Sequence, residues 1–502
     1  NNTAVGGGAL ASNTTASGNT AVGRSALLAN TTGTGNSAVG SGALDANTTG
    51  VQNTAMGVDA LGANTTGSYN IAIGREALAV HTTGNSNLAI GYLALDASDD
   101  GSNNVAIGEG TLSSLVSTAG NTAVGKVALA SCTGGYNTAF GYQALYANTT
   151  ASNNTAVGYL AGGAITTGTQ NVAVGTYALD ANTTASYNTA MGYAALGAST
   201  TATQNTAVGW GSGDAITTGS YNTAVGSDSL SATTTGAYNT AIGDDALGAN
   251  TTGSSNVAAG AYALDANTTA SNNTAFGYGS LGANTTGGNN NALGYLAGRG
   301  ITTGANNVCV GTQAGYYSVN AVTAAQCIFI GNYSKPAATD TTYGYVIGYD
   351  CAASGDSTFT FGKGSTDTTC TLGGTTWSAP SDIRLKEDIQ DEEVGLDFIN
   401  ELRPVTFLWK KEKDVPEEMV ARGEGSEERV MNGKYNHGFV AQEVKEVIDK
   451  YDLKEGFDMW TEDETDGRQR VGESALIPML VKSIQELSAE VEELKQQLNQ
   501  EE

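Results

Sequence analysis

Apolar and polar positions in this chain recur with a period that is neither that of a helix nor simple alternation. The pattern Asn-Thr-Ala-Val-Gly begins at Asn2, Asn19, Asn36, Asn53, Asn70, Asn87, Asn104 and Asn121, resumes at Asn137 after one 16-residue step, and returns every 17 residues to Asn307. These 19 starts share the unit N-T-A-V-G-x-x-A-L-x-A-N-T-T-G-x-x. Self-similarity at a short fixed period marks a stacked repeat. Each unit offers one short β-prone stretch, a Gly, a small-plus-Leu stretch and an Asn-Thr-Thr-Gly turn. Alternation puts the Thr and Val of Thr-Ala-Val on one face and the Ala on the other. Gly permits positive φ and Asn tolerates it, so both are expected at corners. Gly and Asn recur too often for a helix, and the period does not fit a heptad. The fold class is therefore mostly β: a 17-residue-repeat β-solenoid, or β-roll, with one unit per rung. At roughly 4.8 Å between stacked strands, its rungs make a shaft on the order of 90 Å long.

Comparison among units indicates what fills the interior. Most have Leu at the ninth position and a polar residue, usually Asn, at the twelfth. Three have Gly at the ninth, and all three have Ile at the twelfth: Gly162 with Ile165, Gly213 with Ile216, Gly298 with Ile301. Losing a core Leu costs a few kcal/mol, and the Ile restores similar volume. The two positions are expected to feed one pocket. From Val308 the spacing is lost, with echoes at Ile328-Phe329-Ile330-Gly331 and Val346-Ile347-Gly348. Residues 308–380 read as an irregular β-rich tip or transition domain following the shaft of residues 1–307.

At Ser381 the composition turns abruptly to Lys, Glu, Leu and Val. Ile477, Ile484, Val491 and Leu498 repeat every seven residues, with Leu480, Leu487 and Leu494 between them. That is the a/d seam of a coiled coil over 476–502. β-branched residues at a with Leu at d lean towards two strands.

Composition narrows the function classes. The chain has 502 residues, 68 Gly, 5 Pro and a net charge of −27, yet only 22 Lys and Arg. Ala, Thr, Asn and Gly suit thin, tightly turning structure rather than a thick core. With no basic cluster, nucleic-acid binding is not expected. No run of 18 apolar residues exists, so no membrane insertion is expected. Five scattered cysteines are not a disulfide framework and fit assembly in a reducing cytoplasm followed by release. Residue 1 falls inside a repeat, without Met or signal peptide, which reads as a fragment or processed product.

Three segments carry a family resemblance: Ser381-Asp382-Ile383-Arg384-Leu385-Lys386, Leu402-Arg403-Pro404-Val405-Thr406-Phe407, and Gly438-Phe439-Val440-Ala441-Gln442-Glu443-Val444. In this order, followed by a coiled coil, they resemble the intramolecular chaperone auto-processing domain of endosialidase tail spikes and other phage fibres. The resemblance covers about 381–502 and implies an α+β chaperone over 381–475 ending in the coiled coil. The small-residue rungs likewise resemble the repeated shafts of phage tail fibres and the head repeats of trimeric autotransporter adhesins. Both resemblances imply a homotrimer.

In the chaperone family a Ser and a Lys five residues later form the dyad that cuts the chain at the Ser. Ser381 and Lys386 match as catalytic residues, and the cleavage site is expected at Ser381 and Asp382. A Ser hydroxyl is a poor nucleophile until a base takes its proton; burial in an assembled trimer could depress a Lys enough to serve. This single-turnover autoproteolysis is the only enzyme chemistry expected. His437 reads as structural, and His81 as a solvated replacement for a turn Asn. The Asn-Thr-Thr triplets spell glycosylation sequons, but a turn role explains them. No cofactor and no metal site is expected.

The leading functional expectation is a structural and adhesive trimeric fibre, virion tail or extracellular, assembled in a host cytoplasm. It would attach to a glycan or protein receptor on a cell surface. Two other classes are an ice- or mineral-binding solenoid adhesin, suggested by Thr rows, and a glycan-degrading tailspike, for which no acid/base pair stands out.

Overall fold

The computed structural model describes residues 1–501 except 317–322, 365, 376, 380, 382, 388, 418, 420–424, 432, 454–458 and 464–466. The chain separates into two compact units, residues 1–380 and 381–502.

In the first unit every repeat contributes one three-residue strand, from Thr3–Val5 through Val308–Val310. Neighbours pair in parallel with equivalent repeat positions opposite one another, as in Thr3↔Thr20, Ala4↔Ala21 and Val5↔Val22. The single 16-residue step keeps this register, Thr122 pairing with Thr138, because the missing residue comes out of a turn. In every rung after the first, the central strand residue, Ala in all but the last, is buried and its two neighbours face outward, Ala21 and Ala38 being fully enclosed. The core of a rung is therefore two Ala and one Leu, with Ala26 and Leu27 completing the set that Ala21 begins. So thin a core cannot supply much apolar burial. Polar side chains inside it must then be paired.

The asparagines meet that demand. Each first-position Asn accepts, through Oδ1, the backbone N–H of the Asn one rung on: Asn19 N to Asn2 Oδ1 and Asn36 N to Asn19 Oδ1, both 2.9 Å. The amide of all but Asn273 donates to a turn carbonyl, as from Asn19 to Gly33 at 2.9 Å. Twelfth-position asparagines form a second ladder, Asn47 donating to Asn30 Oδ1 at 2.8 Å and Asn64 to Asn47 Oδ1 at 2.9 Å. The expectation that Asn marks corners by tolerating positive φ is thus corrected for the two ladder positions, although it holds at the seventeenth, as at Asn103 (60°) and Asn153 (62°). Neither ladder position has positive φ; the seventh, ninth and seventeenth do, as at Ser25 (60°), Leu27 (53°) and Gln52 (55°).

That backbone explains the Gly/Ile exchange. The ninth position is left-handed, a conformation costing an L-residue about 1 kcal/mol and free for Gly. A β-branched side chain is strongly disfavoured there, so the replacement apolar volume arrives from the twelfth position. A Cβ on Gly213 would lie 3.0 Å from Ile216 Cδ1 and 3.2 Å from Leu196 Cδ2. The pocket is shared. In one rung both positions are apolar and buried, Leu112 and Leu115, so the exchange is not an exclusion. Ile216→Asn is expected to destabilise the solenoid by about 2–4 kcal/mol, and adding Gly213→Leu to recover much of it. Thermal unfolding that shows no recovery would mean the two positions act independently.

His81 corrects a second expectation. Rather than being solvated, it is fully buried at the twelfth position, with Nε2 2.9 Å from Gly84 O. Asn30 makes the equivalent bond to Gly33 at 3.0 Å. The imidazole stands in for a carboxamide, and burial lowers its pKa. It does not continue the ladder: Asn64 Oδ1 has no donor among the described residues.

The parallel ladder does not stop where the sequence period does. Ile328 pairs with Val308 and Tyr345 with Ile328, and Thr358–Lys363 adds one more parallel strand. Thr368–Thr371 then turns antiparallel. The line expected between 307 and 308 thus separates a periodic from an irregular stretch of one column. The cause is volume: central Ala gives way to Cys309, Phe329 and Val346, all buried. Gly315 makes room, a Cβ there lying 3.0 Å from Phe329 Cδ2. All five cysteines are free and buried, and burial pushes the Cys132 thiol up to about 11.

Among its described residues the second unit has three α-helices, α1 (Leu396–Glu401), α2 (Ala441–Lys450) and α3 (Ile477–Glu501). Two antiparallel strand pairs accompany them, Val405–Phe407 with Asn436–Gly438 and Trp460–Glu462 with Gln469–Val471. Phe398, Val444, Ile448, Met459, Leu476 and Met479 form the core. Glu486 of α3 accepts the Leu396 N–H at 2.7 Å, a carboxylate satisfying an otherwise unpaired amide at a helix N-terminus.

Candidate self-cleavage site and assembly surface

A short 3-10 turn, Ile383–Leu385, follows Ser381. It folds the chain back, with the Lys386 N–H bonded to Ile383 O. Residues five apart are thereby brought together: Lys386 Nζ donates to Ser381 Oγ at 2.8 Å. Asp382, the other residue expected at the cleavage site, lies outside the described residues. The hydroxyl and amine are within proton-transfer reach.

As drawn, the amine donates, which is the direction opposite to general-base catalysis. Taking the Ser proton requires a neutral amine, and desolvation is the ordinary way to favour one. Ser381 and Lys386 are both exposed in the protomer. So are the apolar side chains beside them, Ile383, Leu385 and Ile389, at 59–72% of their surface. Within one chain the segment has the pair but not the cover.

The second and third motif segments meet each other. Val405 pairs with Gly438 and Thr406 with His437. Arg403 grips Glu443 with two hydrogen bonds, and this holds the Glu443 carboxyl below its ordinary range. Glu401 accepts from Lys450, and from Tyr451 Oη at 3.0 Å. These contacts tie α1 and its following strand to α2. His437 lies in a paired strand, where a structural role suffices.

Helix α3 has two apolar faces. Met479 and Ser483, with Leu476 just before the helix, are buried against the unit. The expected seam lies beside them: Ile477, Leu480, Ile484, Leu487, Val491, Leu494 and Leu498 are 42–67% exposed. Sequence spacing identified this stripe, but not the second face that anchors the helix to its own chain. Glu486 stands in none of the three motif segments, and Glu443 stands in the third with no role that its spelling assigns. Their signal is weak, because a carboxylate on a charged helix resembles any solvated one.

A family model described as the chaperone of endosialidase matches residues 381–453. The C-terminal unit carries an endosialidase-type chaperone. The match begins at Ser381 and contains all three motif segments. No curated protein and no solved structure matches the chain. The molecule is thus a β-solenoid followed by a unit whose residues 381–453 are similar to this chaperone. Among the described residues, no helix is long and apolar enough to cross a membrane.

Proposed function

We propose that this chain is one protomer of a trimeric, phage fibre-like protein. Its chaperone gathers three copies and then severs itself at Ser381. The solenoid that remains is a passive, adhesive fibre presenting its surface to a host cell. The observation carrying this reading is the 2.8 Å contact between Lys386 Nζ and Ser381 Oγ, at the first residue of the chaperone match.

Exposure of the pair supplies a control over timing. In a single chain the amine is solvated and the Ser hydroxyl idle. Covering Ile383, Leu385 and Ile389 in the assembled trimer would desolvate Lys386 and let it accept the Ser381 proton. The Ser oxygen then attacks a neighbouring peptide carbonyl, the leaving amine is protonated, and water resolves the ester. Cleavage would follow assembly rather than precede it. Denaturing gels of the expressed chain test this: a fragment beginning at or next to Ser381 is expected. A chain that assembles and is never cut would contradict it.

A further inference from the structure

The outward face of the solenoid strands carries two columns, a first one mostly of Thr and a second one that is apolar in every rung. The residue closing each three-residue strand forms the apolar column, stacking in register from Val5 and Val22 through Val310 and Ile330, and Ile347 and Phe361 continue it. Stacking covers it only in part: Phe140 stays 56% exposed and Leu293 55%, while Val124, Val174 and Val225 are half-buried. Strand propensity would favour Val, Ile and Phe here but does not account for Met56, Met191 and Leu293. Where Phe276 is bulky, its partner one rung back is Ala259, as though space above the column were limited.

We infer that this column is the face on which copies of the chain pack against one another around a three-fold axis, parallel and in register. The inference rests on the trimeric reading and adds the surface. If each side chain leaves roughly 50–70 Å² uncovered, the column offers more than about 1,000 Å² per chain, above the roughly 800 Å² per partner of a stable complex. A ligand that matched it would need the same rung spacing over the same length, and a second copy has both. The seam of α3, exposed in the same manner, asks for the same partner independently. A glycan would find few polar groups along the column, and a lipid surface would find a ridge one side chain wide.

The test places single cysteines in the full chain at Val157 and Val225, with Thr201→Cys, exposed in a turn, as the reference. The native cysteines are buried, and the unsubstituted chain reports any background from them. Native mass is recorded first, then a short bis-maleimide is added. Val157→Cys and Val225→Cys are expected to give covalent dimers on a denaturing gel. They should also react with a monofunctional maleimide about tenfold more slowly than Thr201→Cys, because access governs thiol reactivity. A trimer in which these thiols neither cross-link nor are shielded overturns the face and leaves the trimeric reading standing. A mass other than three copies removes that reading, and the face with it.

Discussion

Ser381→Ala leaves the chain at full length under conditions where the parent chain releases a fragment of residues 381–502. Lys386→Ala does the same. Loss of a nucleophile or of its base lowers such reactions by about 10⁴-fold or more, which for one turnover means no visible fragment. Neither substitution touches the core of Phe398, Val444, Ile448 and Met479, so assembly itself is expected to be unaffected. A Ser381→Ala chain that is cut normally would show that another group attacks. In the proposed trimer the use of such a cut would be kinetic. Three chains would have to align before any contact between them is rewarded, and non-local contacts form slowly. A coiled coil of local contacts can hold the chains meanwhile. Once it is removed, separated chains have no means of finding their register again.

The second large effect is on the solenoid backbone. Gly192→Ala is expected to destabilise it by about 3–5 kcal/mol. Gly192 has φ +142°, and a Cβ there would lie 2.1 Å from the Gly209 carbonyl oxygen. That neighbour is backbone, held by the next rung, and cannot move aside. Gly7→Ala is the reference: a Cβ at Gly7 meets nothing within 4 Å, and its effect should stay within about 0.5 kcal/mol. Because each rung touches only its neighbours, one broken rung weakens cooperativity along the column. Thermal unfolding that is the same for both variants would contradict this assignment of the fifth-position Gly.

Much of this was legible in the sequence, for identifiable reasons. The 17-residue period located every periodic strand, because strand, glycine and turn are all local features. The Gly/Ile exchange was readable because volume is conserved between two positions of one rung. The Ser381–Lys386 contact followed from spacing within a recognised segment. The asparagine ladders were not legible, since a buried Asn paired to the next rung is spelled like a turn Asn. His81 was misplaced for the same reason. Left-handed Leu27 could not be foreseen either, because its strain is outweighed by contacts that only stacking reveals. Past Val308 only echoes of the ladder were legible, at Ile328–Ile330 and Val346–Gly348, because main-chain pairing is indifferent to side chains. Phe329 disturbs the spelling of the repeat without breaking it.

Native mass measurement on solenoid produced with and without residues 381–502 bears most directly on the chaperone's role. Made as the full chain, the solenoid should have the mass of three copies. Made as residues 1–380 alone, it should be aggregated or of mixed size. Single chains from the full-length product, or identical trimers from both, would contradict assembly by the C-terminal unit.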